Sequence, residues 1–127
     1  MVYIDSSGTL NLVNASANAS KYPIGFVRGA YDGSQGPWTG ASLEVQTDGA
    51  FVLTATQWDD LLGVDTSAQG YSPTGLVPGT KYYASDSTAG DITASSPTAA
   101  NSFVVPIGRA ISSTTMYIEI GEPIKLA

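Results

Sequence analysis

The chain has 127 residues, the length of a single domain, and its 43% hydrophobic content favours a packed core over disorder. Only 13% of the residues are charged, and the net charge is −6. The five cations are scattered singly along the chain: Lys21, Arg28, Lys81, Arg109 and Lys125. Because binding to the phosphates of nucleic acid requires clustered Lys and Arg, nucleic acid is disfavoured as a partner.

Short alternating apolar segments, separated by Gly, Pro and Asp, run through the first half of the chain and are typical of strands. Residues 9–13 and 24–30 are predicted to form two of them. The strongest hairpin signal is the turn pair Asp48-Gly49, because Gly accepts a positive φ and Asp tolerates one. We therefore predict that residues 42–46 and 50–54 pair as the arms of a hairpin.

One short helix is predicted near residues 56–62. Thr56 has the properties of an N-cap, and Asp59 three positions later completes a pattern resembling a capping box. Gly63 is suited to end the helix. The apolar face is formed by residues at i, i+3 and i+4 spacing: Trp58, Leu61 and Leu62.

Two more hairpins are predicted after a loop-rich segment at 64–80. Residues 81–85 turn into 91–93, and residues 103–111 turn at Ser112-Ser113 into 114–120. Pro106 cannot donate to a strand ladder, so it marks an edge or a bulge.

These elements predict an all-β fold, a single small β-barrel or β-sandwich of antiparallel hairpins with one short helix. We assign residues 1–9 to an N-terminal arm and residues 10–127 to a single β-domain. No stretch approaches the roughly 18 apolar residues that cross a bilayer, so no membrane partner is expected. The N-terminus also lacks the features of a secretory signal, and we expect folding in a cytoplasm.

The chain contains no histidine and no cysteine, which excludes imidazole and thiolate catalysis as well as disulfides. The one carboxylate cluster, Asp59, Asp60 and Asp65, is a candidate for hydrolytic carboxylates or a Ca²⁺ site. We favour a structural interpretation, in which Asp59 caps the helix and Asp60 is a favourable charge in its first turn. No catalytic residue, cofactor or metal ion is therefore predicted.

The aromatic residues divide into core and surface candidates. Trp58 is predicted to lie in the core, and either Tyr82 or Tyr83 is predicted to pack inward because the two alternate along one strand. Trp38 and Tyr71 lie in loop segments, where exposed aromatic rings can stack on sugars or anchor a protein interface.

Two stretches in the second half combine turn residues with strand periodicity: residues 75–84, GLVPGTKYYA, and residues 104–115, VVPIGRAISSTT. The first resembles the G-L-x-P-G-x-x-Y-Y-L/A segment, and the second the V-x-x-V-G-x-A-L-S-A-T-T ending, of a small β-module of tailed-bacteriophage virion proteins. With a weaker likeness at 12–27, the resemblance covers most of the chain from Thr9 to Pro123. The loop at 36–38 and the segment 51–63 depart from the pattern.

The resemblance implies a virion structural protein without catalytic residues. Our leading hypothesis is a capsid decoration (cement) protein, made in the host cytoplasm and located on the capsid exterior. It would be a homotrimer that binds the major capsid protein and stabilises the assembled head. The expected interface comprises the N-terminal segment, able to add a strand to a capsid edge, and two loops; its residues are Val2, Tyr3, Ile4, Trp38 and Tyr71.

Two alternatives remain open. A tail-fibre or receptor-binding module would use Trp38 and the tyrosines to stack on host surface glycan. A carboxylate-dependent glycan hydrolase would use Asp59, Asp60 or Asp65, and its sugar-releasing activity would depend on them.

Overall fold

The computed structural model describes residues 1–4, 7, 10–16, 23–28 and 44–127. Within these ranges the chain forms short strands and one helix. In chain order they are β1 Val2–Ile4, β2 Leu10–Leu12, β3 Phe26–Arg28, β4 Glu44–Gln46, β5 Gly49–Val52, α1 Ala55–Leu61, β6 Lys81–Ala84, β7 Ile92–Thr93, β8 Phe103–Val104, β9 Pro106–Ala110, β10 Thr115–Ile118 and β11 Ile124–Lys125.

A five-stranded antiparallel sheet in the order β5-β10-β9-β6-β7 forms the centre of the fold. Strands β1 and β2, β3 and β4, and β8 and β11 pair separately, also antiparallel. The all-β class with one short helix is thus confirmed. The hairpin of 81–85 and 91–93 is also confirmed, because β6 pairs with β7. The hairpin of 103–111 and 114–120 is confirmed next to its turn, where β9 pairs with β10, but Phe103–Val104 forms the separate strand β8 and pairs with β11.

The hairpin predicted across Asp48-Gly49 is wrong in its pairing. The turn exists, with Gly49 at a φ of +79°, but β4 pairs with β3 while β5 pairs with β10. The two arms part because β5 buries Phe51 opposite Met116 in the five-stranded sheet, and long-range burial outweighs the local turn signal. Across the turn, the Gln46 side chain donates to the carbonyl of Ala50 at 2.8 Å.

One face of the five-stranded sheet is sealed in the core. Alternate residues along its strands are buried because successive side chains of a strand point to opposite faces; they are Phe51, Tyr82, Ala84, Ile92, Ala110, Met116 and Ile118. The prediction that Tyr82 or Tyr83 packs inward is therefore confirmed for Tyr82. Gly108 lies on the same side, where a Cβ atom would be 2.3 Å from the Tyr117 carbonyl oxygen, so only glycine lets β9 and β10 approach this closely.

Turns and bulges fall where proline and glycine predict them. Val77 accepts a hydrogen bond from the Thr80 N–H at 3.1 Å, with Pro78 and Gly79 between them and Gly79 at a φ of +81°, as in a type II turn. Pro106 lies at a bulge, because the β6–β9 register shifts between Tyr82 and Tyr83. The predicted edge or bulge at Pro106 is confirmed.

The helix was placed correctly, but its cap was not. Thr54, not Thr56, is the N-cap: its side chain accepts from the Gln57 N–H at 3.2 Å, and the Gln57 side chain accepts from the Thr54 N–H at 2.9 Å. The helix therefore starts earlier, and Asp59 and Asp60 lie in its second half, not in its first turn. At the other end Gly63 adopts a φ of +76° and closes the helix, as predicted.

Trp58 joins the helix to two sheets. It is fully buried, and its ring meets Phe51 of β5 and Phe26 of β3 edge-on at centroid distances of 5.9 and 6.0 Å. The two phenylalanines stack on each other at 5.2 Å. The indole N–H donates to the Thr114 carbonyl at 2.9 Å, so the polar end of the ring is satisfied. The predicted core position of Trp58 is confirmed.

Candidate interaction surface

The N-terminal residues predicted as an interface are built into the domain. Strand β1 pairs with β2 on one side. On its other side, Val2 makes two backbone hydrogen bonds with the residues just before β3: its N–H donates to the Gly25 carbonyl, and its carbonyl accepts from the Ile24 N–H. Val2 is buried, Tyr3 packs partly against the core, and Ile4 is 54% exposed. Val2 therefore has no free backbone edge for a capsid strand, whereas Ile4 remains accessible to a partner.

Tyr71 holds the loop before β6 to the helix. Its hydroxyl donates to Oδ2 of Asp59 at 2.6 Å, and the side chain is half-buried. Trp38, the other predicted loop residue, lies outside the described ranges. Of the two predicted aromatic contacts, Tyr71 thus has an evident structural role at the Asp59 carboxylate.

Asp59 is a buried hydrogen-bond acceptor and not a helix cap, which corrects the interpretation drawn from spacing. Besides Tyr71, the N–H groups of Thr74 and Gly75 donate to its carboxylate, each at 2.8 Å. Burial by itself raises the pKa of Asp59, but these hydrogen bonds favour the charged form more strongly, so the pKa lies below its usual value of 3.8. A carboxylate held in this way is poorly suited to act as a general acid.

The other two carboxylates of the predicted cluster do not join Asp59. Asp65 accepts from the Ser67 hydroxyl at 2.6 Å and from the Ser67 N–H at 3.0 Å, and these bonds lower its pKa. Asp60 is exposed on the helix. Across the described ranges no group of three or more acidic residues is arranged to hold a metal ion, and no helix is long and apolar enough to cross a membrane.

On the opposite side of the five-stranded sheet, exposed residues lie on or next to four strands. Its first row follows the strand register from Ala50 through Tyr117 and Arg109 to Lys81. The second row places Val52 opposite Thr115, whose carbonyl accepts from the Ile111 N–H. We call this the outer face and define it by seven residues: Ala50, Val52, Lys81, Arg109, Ile111, Thr115 and Tyr117.

Large apolar side chains stand out on the outer face. Val52 is 64% exposed, Ile111 is 58% exposed and Tyr117 is 51% exposed. Single exposed apolar residues are normal on protein surfaces, but these three surround Thr115: Val52 is its cross-strand partner, Ile111 bonds its carbonyl and Tyr117 follows two positions along β10. Contiguous exposed patches of this kind mark interaction sites. Strands β5 and β10 hold the backbones of Val52 and Tyr117, and the hydrogen bond to Thr115 holds that of Ile111, so a partner would meet a preformed surface.

Two cations lie side by side next to this patch. Lys81 and Arg109 are direct cross-strand partners, and both are exposed. Within the described ranges both contact neutral groups: the Arg109 guanidinium donates to the Gly79 carbonyl, and the Lys81 ammonium lies 5.8 Å from the centre of the Tyr83 ring. The outer face thus combines three exposed apolar side chains with a positive site on a chain whose net charge is −6.

The sequence interpretation missed Val52, Tyr117 and the cation pair. Period-two alternation was the signal that could have identified Tyr117, because it places this residue on the other face of the strand from Met116 and Ile118. The meeting of Lys81 and Arg109 depends on the register between two strands that are distant in sequence, which alternation does not specify.

The chain matches no protein-family model, no curated protein and no solved structure.

Proposed function

We propose that the protein is a bacteriophage capsid decoration protein that binds and stabilises the assembled head. The observation that carries this proposal is the outer face, where Val52 and Tyr117 are exposed on strands of the antiparallel sheet and Ile111 is exposed directly after β9. A surface of this kind suits a protein that attaches to another protein, because its apolar area is removed from water only on association.

The motif stretches give independent support, because they occupy the middle of the same sheet. The G-L-x-P-G-x-x-Y-Y stretch ends in β6, and the V-x-x-V-G-x-A stretch contains β9, and these strands pair with each other. The motif residues Tyr82 and Gly108 face each other on the buried side. The resemblance therefore concerns residues that build the sheet, and the outer face is the surface this sheet presents.

Cementing would act by mass action. A protein that binds the assembled lattice and not its dissociated subunits stabilises the lattice by RT ln(1 + [L]/Kd), about 2.7 kcal/mol per site at a concentration 100 times Kd. With a homotrimer on the capsid exterior, each protomer would offer one outer face to the major capsid protein, and simultaneous contacts would raise the overall affinity.

Heads depleted of the protein provide the test. We expect the purified chain to rebind such heads and to raise the temperature at which they release DNA. Tyr117→Ala should weaken rebinding at least tenfold, because it removes the central aromatic side chain of the outer face. Ile124→Ala is the matched control, since Ile124 is at least as exposed (60% against 51%) but lies on β11 in a separate strand pair. Failure of the unaltered protein to bind heads would refute the proposal.

A tail-fibre module that recognises host glycan is the second candidate. It is favoured by one observation, the exposed Tyr117 ring beside Arg109, since aromatic rings stack on sugars and arginine binds their acidic groups. Binding of the purified chain to host surface polysaccharide, together with no binding to depleted heads, would favour this candidate over the first.

A further inference from the structure

Lys81 and Arg109 oppose each other directly across β6 and β9. Cβ atoms of directly opposite residues in an antiparallel pair are about 4.5–5.5 Å apart, and like charges at this spacing destabilise the sheet. The chain has 11 acidic residues and only five basic ones, so a cation paired with an acidic residue would be the more frequent combination by composition alone. Two of these few cations nevertheless occupy paired positions on an exposed face, an arrangement that stability alone does not favour.

The pair has the chemistry of a carboxylate-binding site. A guanidinium presents parallel N–H donors that match a carboxylate, and a neighbouring ammonium adds a mobile point charge. The Arg109 guanidinium donates to the Gly79 carbonyl, and Lys81 lies near the Tyr83 ring; neither of these contacts neutralises a charge. An acidic group docking here would relieve the repulsion between the two cations.

The neighbouring residues indicate which kind of acidic partner fits. In the same row Tyr117 is next to Arg109, and the adjacent row, about 7 Å away along the strands, carries Val52 and Ile111. Sugar chains have little aliphatic surface to cover such residues, whereas protein interfaces combine an apolar centre with charged groups at the rim. A second copy docked face to face is disfavoured, because it would bring four cations together.

We propose that Lys81 and Arg109 bind carboxylates on an acidic protein surface, that of the capsid lattice, while Tyr117, Val52 and Ile111 form the apolar part of the contact. This inference rests on the proposed function and adds to it the chemistry of the partner and the residues that select it. Because the contact is partly electrostatic, its affinity falls as salt concentration rises.

The test measures binding to depleted heads by the unaltered chain and by a Lys81→Gln/Arg109→Gln variant, between 50 and 500 mM salt (roughly 14 to 4 Å of Debye screening length). We expect the double variant to bind at least tenfold more weakly at low salt and to lose most of the salt dependence. Lys125→Glu is the matched control: it changes the net charge by the same −2 but lies on β11, and it should bind like the unaltered chain. Circular dichroism and thermal unfolding confirm that each variant is folded.

Each other outcome overturns the inference in a distinguishable way. If the unaltered chain does not bind heads, the proposed function fails and this inference fails with it. If the chain binds and the double variant binds equally well, the function stands and the carboxylate site is wrong. If Lys125→Glu loses as much affinity for heads as the double variant, net charge controls binding and the Lys81–Arg109 pair has no specific role. Conversion of an oligomer to monomers by the double variant would assign the face to contacts between copies, and binding of dextran sulfate at the same site with no head binding would assign it to glycan.

Discussion

The carboxylate of Asp59 receives hydrogen bonds from residues 12, 15 and 16 positions later in the chain. It thereby connects helix α1 to the loop that leads into β6. Its neighbour Asp60 lies near the C-terminal end of the same helix, where the helix dipole disfavours a negative charge. The two adjacent aspartates thus have different surroundings, and we expect their replacement to have different effects on stability.

Asp59→Asn should destabilise the fold by about 3 kcal/mol, because an amide offers one acceptor oxygen where three donors converge and turns its own donors towards them. Urea denaturation measures the loss. Asp60→Asn is the matched control and should leave stability unchanged or raise it by up to about 0.5 kcal/mol. Equal effects of the two substitutions would contradict the role assigned to Asp59.

The lowered pKa of Asp59 sets the direction of its pH dependence. A carboxyl whose folded-state pKa lies below the unfolded value contributes stability above the unfolded value, and this contribution disappears as the pH falls through the folded-state pKa. The stability difference between the unaltered chain and Asp59→Asn should therefore be constant from pH 7 down to about pH 5 and shrink below pH 3.8. Denaturation midpoints across this range test it; a difference that grows on acidification would show the sign to be wrong.

At the scale of elements, the helix and the hairpin at Gly49 show what local sequence can specify. Thr54 and Thr56 both start a Thr-x-x-polar pattern, and Thr54 prevails with Gln57 because a glutamine reaches back to the cap N–H better than the shorter aspartate does. At Gly49 the turn was identified from two residues, but its arms pair with other strands. Turn chemistry is local, whereas strand partners depend on where Phe51 and Met116 are buried.

Strands β9 and β10 approach each other closely at Gly108. Gly108→Ala should cost more than about 2 kcal/mol, because its Cβ would lie 2.3 Å from the Tyr117 carbonyl oxygen and the strands must separate. Gly79→Ala provides the comparison: it meets open space but keeps a positive φ, and should cost about 1 kcal/mol. Thermal unfolding of the two variants ranks the effects, and a milder loss at Gly108 would rule out the steric explanation.

The cation pair makes a separate prediction about the free protein. Lys81→Gln removes one of two like charges at paired positions, so stability should stay the same or rise by up to about 0.5 kcal/mol at low salt. The gain should vanish at 0.5 M salt, where the Debye length is about 4 Å. A loss of stability on substitution would mean that Lys81 supports the fold and would remove the argument that it serves a partner.

Across the whole molecule, the two faces of the central sheet have different roles. The inner face and Trp58 were accessible to sequence reasoning, because alternation and helical spacing identify residues that pack inward. The outer face was not, since it is assembled from β5, β6, β9 and β10, whose order in the sheet differs from their order in the chain. Val2 illustrates the same limit: a terminal strand predicted to add to a partner instead pairs within its own domain.

The number of copies of the chain in a virion tests the central claim most directly. Quantitative mass spectrometry of purified particles, with labelled peptides as internal standards, gives the ratio of this chain to the major capsid protein, and antibody labelling in electron micrographs gives its position. A decoration protein predicts a fixed stoichiometric ratio to the major capsid protein and labelling over the whole head. A few copies per particle confined to the tail would contradict the account.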